Sequence, residues 1–343
     1  MPLPELPPDE LAVLVFGPGY GELILVRVPP DVWMVVDGCG EGETTYATAA
    51  LQHYGGRPRI IALTHPHDDH SRGIDEVINS ATPKGRTEQW PRIGMVLPDG
   101  ADGRAGDYIA GVTMHAVAAV RDRWEQHPGC KWEMHAGDIE PLGDASVKVV
   151  SPAPAIRTEQ LDRWRSGRQI NKNVISTALL LTWRDRRVLL GSDLVEEPKG
   201  GWTASLTLDA GLGDHDLLKV PHHGSNEALV DGVLRPQTRV PDPLRIVAPF
   251  NKRWRLPSFA AGEGVHRINS LGGTTYLTGL PRRHENQSGR AEQRTLAELA
   301  THDTITFDPT TNGFPDCYVM VSLPPARGAP SVVLGAGSIA VQT

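Results

Sequence analysis

Over 343 residues the chain is 39% hydrophobic and 22% charged with a formal net charge of −7, which suits a globular protein with a sizeable core and argues against a surface that coats nucleic acid non-specifically. No apolar run approaches a membrane span, the N-terminus MPLPELPPDE lacks the basic and apolar stretches of a signal peptide, and three widely spaced cysteines imply no disulfide framework. A cytoplasmic protein without membrane contact is expected, and frequent glycine (36) and proline (29) without a period exclude a repeat array.

In chain order, residues 11–16 and 22–28 read as β-branched strands joined by the turn-rich stretch Gly17-Pro18-Gly19-Tyr20-Gly21, and 32–37 as a third strand. Gly38-Cys39-Gly40 turns the chain away, helical periodicity covers 43–54, and 59–64 is a short buried strand. Directly after it comes Thr64-His65-Pro66-His67-Asp68-Asp69-His70, which holds three of the 13 histidines. A strand ending in His-x-His points two nitrogen donors from one strand end. Asp69 and His70, at the first turn of a helix predicted over 71–80, face the same pocket from the other side. Imidazole mixed with carboxylate suits zinc, manganese or iron, and two such clusters suit a pair of ions.

The pattern is less regular over 84–135, with a helix near 106–126. Further strands are predicted at 147–151, 174–183, 187–190, 216–220, 244–248 and 274–277, and in the tail at 317–322 and 331–334. Strands and helices alternate without a glycine-rich phosphate loop, so the class is α/β. Residues 10–285 are expected to form the main domain and 286–343 a C-terminal extension, its strands packed on the core or serving as an association surface. Two later segments carry further donors. Val188-Leu-Leu-Gly-Ser-Asp193 delivers a carboxylate, the kind of ligand that bridges two cations, and Leu217-Leu-Lys-Val-Pro-His-His-Gly-Ser225 ends in a histidine pair.

The stretches VVDGCG, ALTHPHDDHSRGID, GDIEPLGDASVKVVSPAP, NKNVISTALLLTW, VLLGSDLVE and LLKVPHHGSNEAL, between residues 35 and 229, resemble the metallo-β-lactamase fold superfamily. Within it they resemble most the soluble nuclease domain of the ComEC-type competence proteins. The resemblance implies a four-layer αββα sandwich with two divalent ions along one edge. His65 and His67 would bind the first ion, Asp69 and His70 the second, and Asp193 would bridge. The remaining histidine of the second ion is His222 or His223, with His222 favoured, and Asp37 would orient the His-x-His loop.

Two departures from the family pattern matter. Where many members place a third histidine on the first ion, this chain has Asn171-Lys172-Asn173-Val174-Ile175-Ser176, with Asn173 and Ser176 in its place. His115, His127 and His135 are possible stand-ins. Without that ligand the first site is weaker, which favours manganese or an exchangeable ion over tightly held zinc. The second departure is Asn251-Lys-Arg-Trp-Arg-Leu-Pro257, which replaces a stretch with a histidine before proline and leaves Arg253, Arg255 or His266 as substitutes.

A pair of divalent ions hydrolyses esters, amides or phosphodiesters. Asp69 and Asp193 are the catalytic carboxylates in this reading. Lys219, Ser225 and His266 are candidates to protonate or neutralise the leaving oxygen. Arg163, Arg165, Arg168 and Lys172 form one basic cluster and Lys252, Arg253 and Arg255, around Trp254, another, with Arg282 and Arg283 following. Cations interleaved with tryptophan suit a nucleic acid backbone and a stacked base. The leading expectation is a metal-dependent nuclease acting on DNA. The alternatives are a small-molecule hydrolase of the same fold, for a cyclic nucleotide, lactone or thioester, and a binding subunit with a decayed site. A protein partner and the oligomeric state stay open.

Overall fold

In Leu11–Phe16 every residue is buried, and alternate side chains enter different cores. Val13 and Val15 face one way, into an apolar layer shared with Val147, Leu179, Leu181 and Val188, whereas Leu14 and Phe16 face the other, toward Tyr46, Ile74 and Val77. A strand apolar on both faces must be covered on both, so this sheet packs against a second sheet on one side and helices on the other. The computed structural model describes residues 3–41, 44–97, 111–197, 199–235, 244–250, 256–258, 260–279 and 316–341.

The first sheet has eight strands in the order Ser331–Leu334, Tyr318–Leu323, Leu11–Phe16, Leu23–Val28, Val32–Val36, Pro58–Leu63, Arg92–Met95 and Lys131–Glu133. The second also has eight, in the order Ile339–Val341, Thr274–Leu277, Leu244–Val247, Leu217–Lys219, Arg186–Leu190, Leu179–Trp183, Ala145–Val149 and Ile139–Leu142. Each sheet is antiparallel in part and parallel in part. The parallel stretch runs from Val32–Val36 to Lys131–Glu133 in the first and from Arg186–Leu190 to Thr274–Leu277 in the second. Helices Tyr46–Tyr54, Ile74–Ala81 and Val112–Gln126 cover the outer face of the first sheet, and Trp202, Val233, Val265 and Ile268 bring short helices onto the second. The result is the αββα sandwich expected from the sequence.

Helix Pro154–Arg165 has no counterpart among the elements expected from the sequence. Its Leu161 and Trp164 join the outer core of the first sheet, while Ile156 packs with Val174, Val195 and Ala228. It thereby carries the loop that follows across one end of the sandwich. Strands Arg92–Met95 and Lys131–Glu133 also escape the sequence pattern, being short and mixed in polarity.

Two expected elements are corrected. The helix predicted over 71–80 is two helices, Asp68–Ser71 and Ile74–Ala81, because Gly73 at φ 79° turns the chain between them. The strand predicted over 174–183 begins only at Leu179, because the Thr177 N–H leaves the sheet to donate to the Thr64 carbonyl at 3.1 Å. Cys39, Cys130 and Cys317 are buried and form no disulfide with one another. No helix among the described residues is long and apolar enough to cross a membrane.

Candidate metal centre

In sheets with parallel strands, loops at the carboxyl ends collect ligands because neighbouring connections diverge there. Here Asp37 follows Val32–Val36, His65 and His67 follow Pro58–Leu63, Asp193 follows Arg186–Leu190, and His222 and His223 follow Leu217–Lys219. Four strand ends, two from each sheet, thus deliver their polar residues to one end of the sandwich.

Two donor groups share Asp193: His65, His67 and Asp193 in one, and Asp69, His70, Asp193 and His223 in the other, with donor atoms in each within 4.8 Å of one another. His223 Nε2 lies 3.2 Å from Asp69 Oδ2 and 3.6 Å from Asp193 Oδ2. His70 Nε2 lies 3.4 Å from Asp193 Oδ1 and 3.7 Å from Asp69 Oδ2. His65 Nε2 lies 3.6 Å from Asp193 Oδ2 and 2.9 Å from His67 Nδ1. A tetrahedral ion with ligand bonds of about 2.0–2.1 Å spaces its donors about 3.4 Å apart, close to these separations.

The ring orientations fit as well. The Nδ1 of His70 meets Asp37 Oδ2 at 2.7 Å, and the Nδ1 of His223 meets the Ala248 carbonyl at 2.8 Å, so each ring turns Nε2 inward. Asp37 also accepts from the Thr64 N–H at 2.8 Å and the Thr64 hydroxyl at 2.6 Å, bracing the loop that holds His65. His70 Nε2 and Asp193 Oδ1 are fully buried and have no hydrogen-bond partner among the described residues. With the His70 Nδ1–H given to Asp37, both are acceptors, and two buried acceptors 3.4 Å apart are costly unless a cation sits between them. The buried histidine–aspartate cluster fits a divalent metal site.

Electrostatics point the same way. Burial alone would push Asp193 up and His223 down, yet each outweighs that effect in the other. Asp193, close to His223 and His70, lies well below the usual carboxylate range. His223, close to Asp193 and Asp69, is raised to about 9. Asp69 is lowered to about 2 by His70 and His223 against the effect of its burial. The cluster calls for positive charge at its centre. His67, by contrast, is lowered to about 4, chiefly by burial, and its ring stays neutral and able to ligate.

The backbone around the centre is strained. Of five non-glycine residues with positive φ among the described residues, four are Asp37 (58°), Ser192 (47°), His222 (45°) and His223 (53°). Gly224, at φ 75°, extends the left-handed run after the histidine pair. Such conformations each cost of order 1–3 kcal/mol and persist where the surroundings fix them.

The pair of histidines is resolved against the expectation. His223, not His222, joins Asp69, His70 and Asp193. His222 turns between Asn173 Nδ2 at 3.0 Å and Ser225 Oγ at 2.8 Å. Successive left-handed residues do not alternate sides as strand residues do, which is why His223 takes the inner position.

The remaining candidates sort by position. Ser176 is wholly buried; its hydroxyl accepts from the Asp193 N–H at 3.0 Å and sits 3.3 Å from His65 Nδ1. Lys219 is corrected as a leaving-group acid. It is 1% exposed, ion-paired to the equally buried Glu22, and its Nζ donates to the Ser192 carbonyl at 3.4 Å. Glu22 escapes the sequence reading; its N–H donates to the Asp69 carbonyl at 2.9 Å, a close approach that Gly21 at φ 99° permits. The only sequence signal for this pair is a lone charge in each of two otherwise apolar runs, Glu22-Leu-Ile-Leu-Val and Leu217-Leu-Lys-Val.

Asn173, Lys172, Ser225, His222 and His67 line a cleft of about 750 Å³ over the centre, walled also by Tyr20, Phe250 and Leu256, with Asp68 and Glu227 at its sides. Phe250 stacks on His223 with ring centroids 5.1 Å apart. His266 lies half-buried on helix Gly264–Asn269 and does not line the cleft, and Arg168 is exposed. None of His115, His127 and His135 joins either donor group. Lys252, Arg253, Trp254, Arg255, Arg282 and Arg283 lie outside the described residues, as do 286–315 of the expected extension.

An αββα sandwich with histidine and aspartate donors at the carboxyl ends of strands from both sheets is the arrangement of the metallo-β-lactamase fold. No protein-family model matches the chain, and no curated protein matches it in sequence. Among solved structures, the chain is similar to CmlA, a diiron β-hydroxylase from Streptomyces venezuelae, at 15% identity over 69% of this chain and 39% of that one, with a TM-score of 0.38. The match thus spans about two fifths of CmlA. It is also similar to YhfI, a metallo-β-lactamase fold protein from Bacillus subtilis, at 15% identity over 61% of this chain and 70% of that one, with a TM-score of 0.35. A diphosphatase from the PhnP family is similar at 13% identity over 61% and 73%, with a TM-score of 0.35. At TM-scores this low, the chemistry rests on the side chains alone.

Proposed function

We propose that the chain is a metal-dependent hydrolase of phosphodiesters, with DNA as substrate, and that it works with two divalent ions. The observation that carries this reading is the shared Asp193: one buried carboxylate common to two donor groups, with four histidines and a second aspartate among them. His65, His67 and Asp193 would hold one ion, and Asp69, His70, Asp193 and His223 the other. Manganese or zinc suits that set of donors. Bound there, such ions supply Lewis acidity to the phosphoryl oxygens and lower the pKa of water.

The chain's own residues do the rest. Asp37 and the Ala248 carbonyl fix the rings of His70 and His223. The hydroxyls of Ser176, Ser192 and Thr64 form a chain beside His65 Nδ1, with 2.6 Å between successive oxygens, and hold that ring in place. Tyr20, Phe250 and Leu256 give the cleft an apolar wall that keeps bulk water back, and Lys172 offers a cation at its edge. Ser225 is the remaining candidate beside a leaving oxygen, since Lys219 is enclosed and His266 stands away.

One observation favours a second reading. The cleft volume and its aromatic wall are those of a small-molecule pocket, which suits a cyclic nucleotide, a lactone or a thioester. Elemental analysis with assays on single-stranded DNA, double-stranded DNA, RNA and these small molecules separates the two. DNA cleavage that chelator stops supports the nuclease. Intact DNA across manganese, zinc and several sequences, together with turnover of a small ester, refutes it.

A further inference from the structure

A second cavity, of about 620 Å³, is lined by His67, Arg163, Gln169, Asn171, Lys172 and Asn173, with Ile170 also at its wall. It shares His67, Lys172 and Asn173 with the cleft over the metal centre, so the two are neighbours with a common wall. Their charges are opposite. The cleft holds Asp68, Asp69, Asp193 and Glu227, whereas no carboxylate among the described residues lines the second cavity. Its polar groups are a guanidinium, an ammonium, three amides and an imidazole.

Neither cation is ion-paired among the described residues. Lys172 is half-buried and makes no hydrogen bond or ion pair among the described residues; burial lowers its pKa, and the nearby Asp68 and Asp69 hold it up. Arg163 uses Nε to donate to the Gln169 carbonyl at 3.1 Å, and its two terminal nitrogens have no partner among the described residues. The Asn171 side-chain oxygen accepts from the N–H groups of Asn173 and Val174 at 3.1 and 3.4 Å, leaving its NH2 group to donate. The Gln160 side chain anchors this loop, accepting from the Asn171 N–H at 3.0 Å.

This lining suits an anionic ligand rich in acceptors, and the shared wall lets such a ligand extend toward the metal centre. A carboxylate would be satisfied by the Arg163 fork alone and would leave most of the volume empty. A phosphodiester with its sugar uses the fork, the ammonium and the amides together. We infer that this cavity holds the phosphate next to the scissile one in a single nucleic acid strand, an assignment that rests on the phosphodiesterase reading. The substrate is then a strand of at least two linkages, and Arg163 and Lys172 set that preference.

The test uses thymidine trinucleotide, its two analogues with one linkage replaced by uncharged methylphosphonate, and bis(p-nitrophenyl) phosphate. Each analogue keeps a single cleavable linkage beside a neutral neighbour. The expected result is a loss of about tenfold or more in kcat/KM for at least one analogue with the wild-type chain. In the double variant Arg163→Gln/Lys172→Gln the same neutralisation should cost less than about twofold. Binding of a labelled oligothymidylate in chelator gives a readout without metal. The slope of log K against log salt should flatten by about 0.7 for each phosphate that the variant no longer neutralises.

Wild-type protein indifferent to the neutral linkage, or a double variant as sensitive as wild type, overturns the subsite and leaves the phosphodiesterase reading standing. Wild-type protein that cleaves neither the trinucleotide nor the nitrophenyl diester in any metal removes that reading, and the subsite with it. Circular dichroism of the double variant checks that it is folded.

Discussion

Replacing either member of the Glu22–Lys219 pair should destabilise the protein far more than replacing both. The two side chains are 0% and 1% exposed, so neither Glu22→Met nor Lys219→Met lets water reach the charge left behind. Burial already raises the Glu22 pKa, with the Lys219 ammonium opposing that effect. Removing one partner of a buried pair costs about 3–5 kcal/mol, whereas exchanging both for apolar groups of similar volume is near neutral or stabilising. At about 2.1 cal/mol/K of unfolding entropy per residue, 343 residues give about 0.7 kcal/mol/K, so a loss of about 4 kcal/mol lowers Tm by about 6 °C. Urea unfolding followed by tryptophan fluorescence, in chelator so that metal contributes nothing, measures the two single variants and the double. Singles that each cost under about 1 kcal/mol, or a double that costs the sum of both, would refute the reasoning.

Further outcomes are expected. His223→Ala should remove more bound metal than His222→Ala, read by elemental analysis after dialysis; equal losses would mean that His222 also ligates. Asp37→Ala should weaken metal binding about 10- to 100-fold while leaving the fold intact, because the His70 ring loses its anchor; unchanged affinity in a metal titration contradicts this. His215 is wholly buried, and burial lowers its pKa to about 4 from 6.5, with Nε2 held 2.8 Å from the Val233 carbonyl. Above pH 6.5 it contributes no pH dependence, but between 6.5 and 4 the unfolded chain binds a proton that the folded one refuses. Stability should fall by about 1.4 kcal/mol per pH unit across that window, about 3 kcal/mol in all. His215→Gln should show a shallower fall over the same range, and identical slopes would discard the assignment.

The residues that are legible in the sequence share one property: each lies at the end of an apolar run that predicts its strand. His65, His67 and Asp193 follow such runs directly, so their convergence can be argued from strand order. What is not legible depends on backbone angles or on partners far away in the chain. Adjacent His222 and His223 differ in role through successive positive φ values, which alternation in a strand does not anticipate. Lys219 reads as a group open to substrate because its partner, Glu22, belongs to the other sheet. The late start at Leu179 has the same origin, since the Thr177 bond to Thr64 overrides the local periodicity, whereas the split at Gly73 is a local turn at positive φ.

The donors come from both sheets, and the layer between those sheets is mostly apolar. Apolar contact has no preferred direction, so the burial of that layer alone does not specify the register of one sheet on the other to a fraction of an ångström. A slip of about an ångström would leave the core content and pull His65 and His70 away from Asp193. Polar ties oppose that slip at both ends of the sandwich. Near the centre, Glu22 of one sheet grips Lys219 of the other. At the far end Arg186, paired with Asp216 at 3.1 Å, also donates to the carbonyls of Pro324, Ala326 and Gly328 in the turn between two strands of the first sheet. The sandwich behaves as a vice with a pin at each end, so the distant Arg186 ties bear on the geometry of the candidate centre as well as the near Glu22–Lys219 pair.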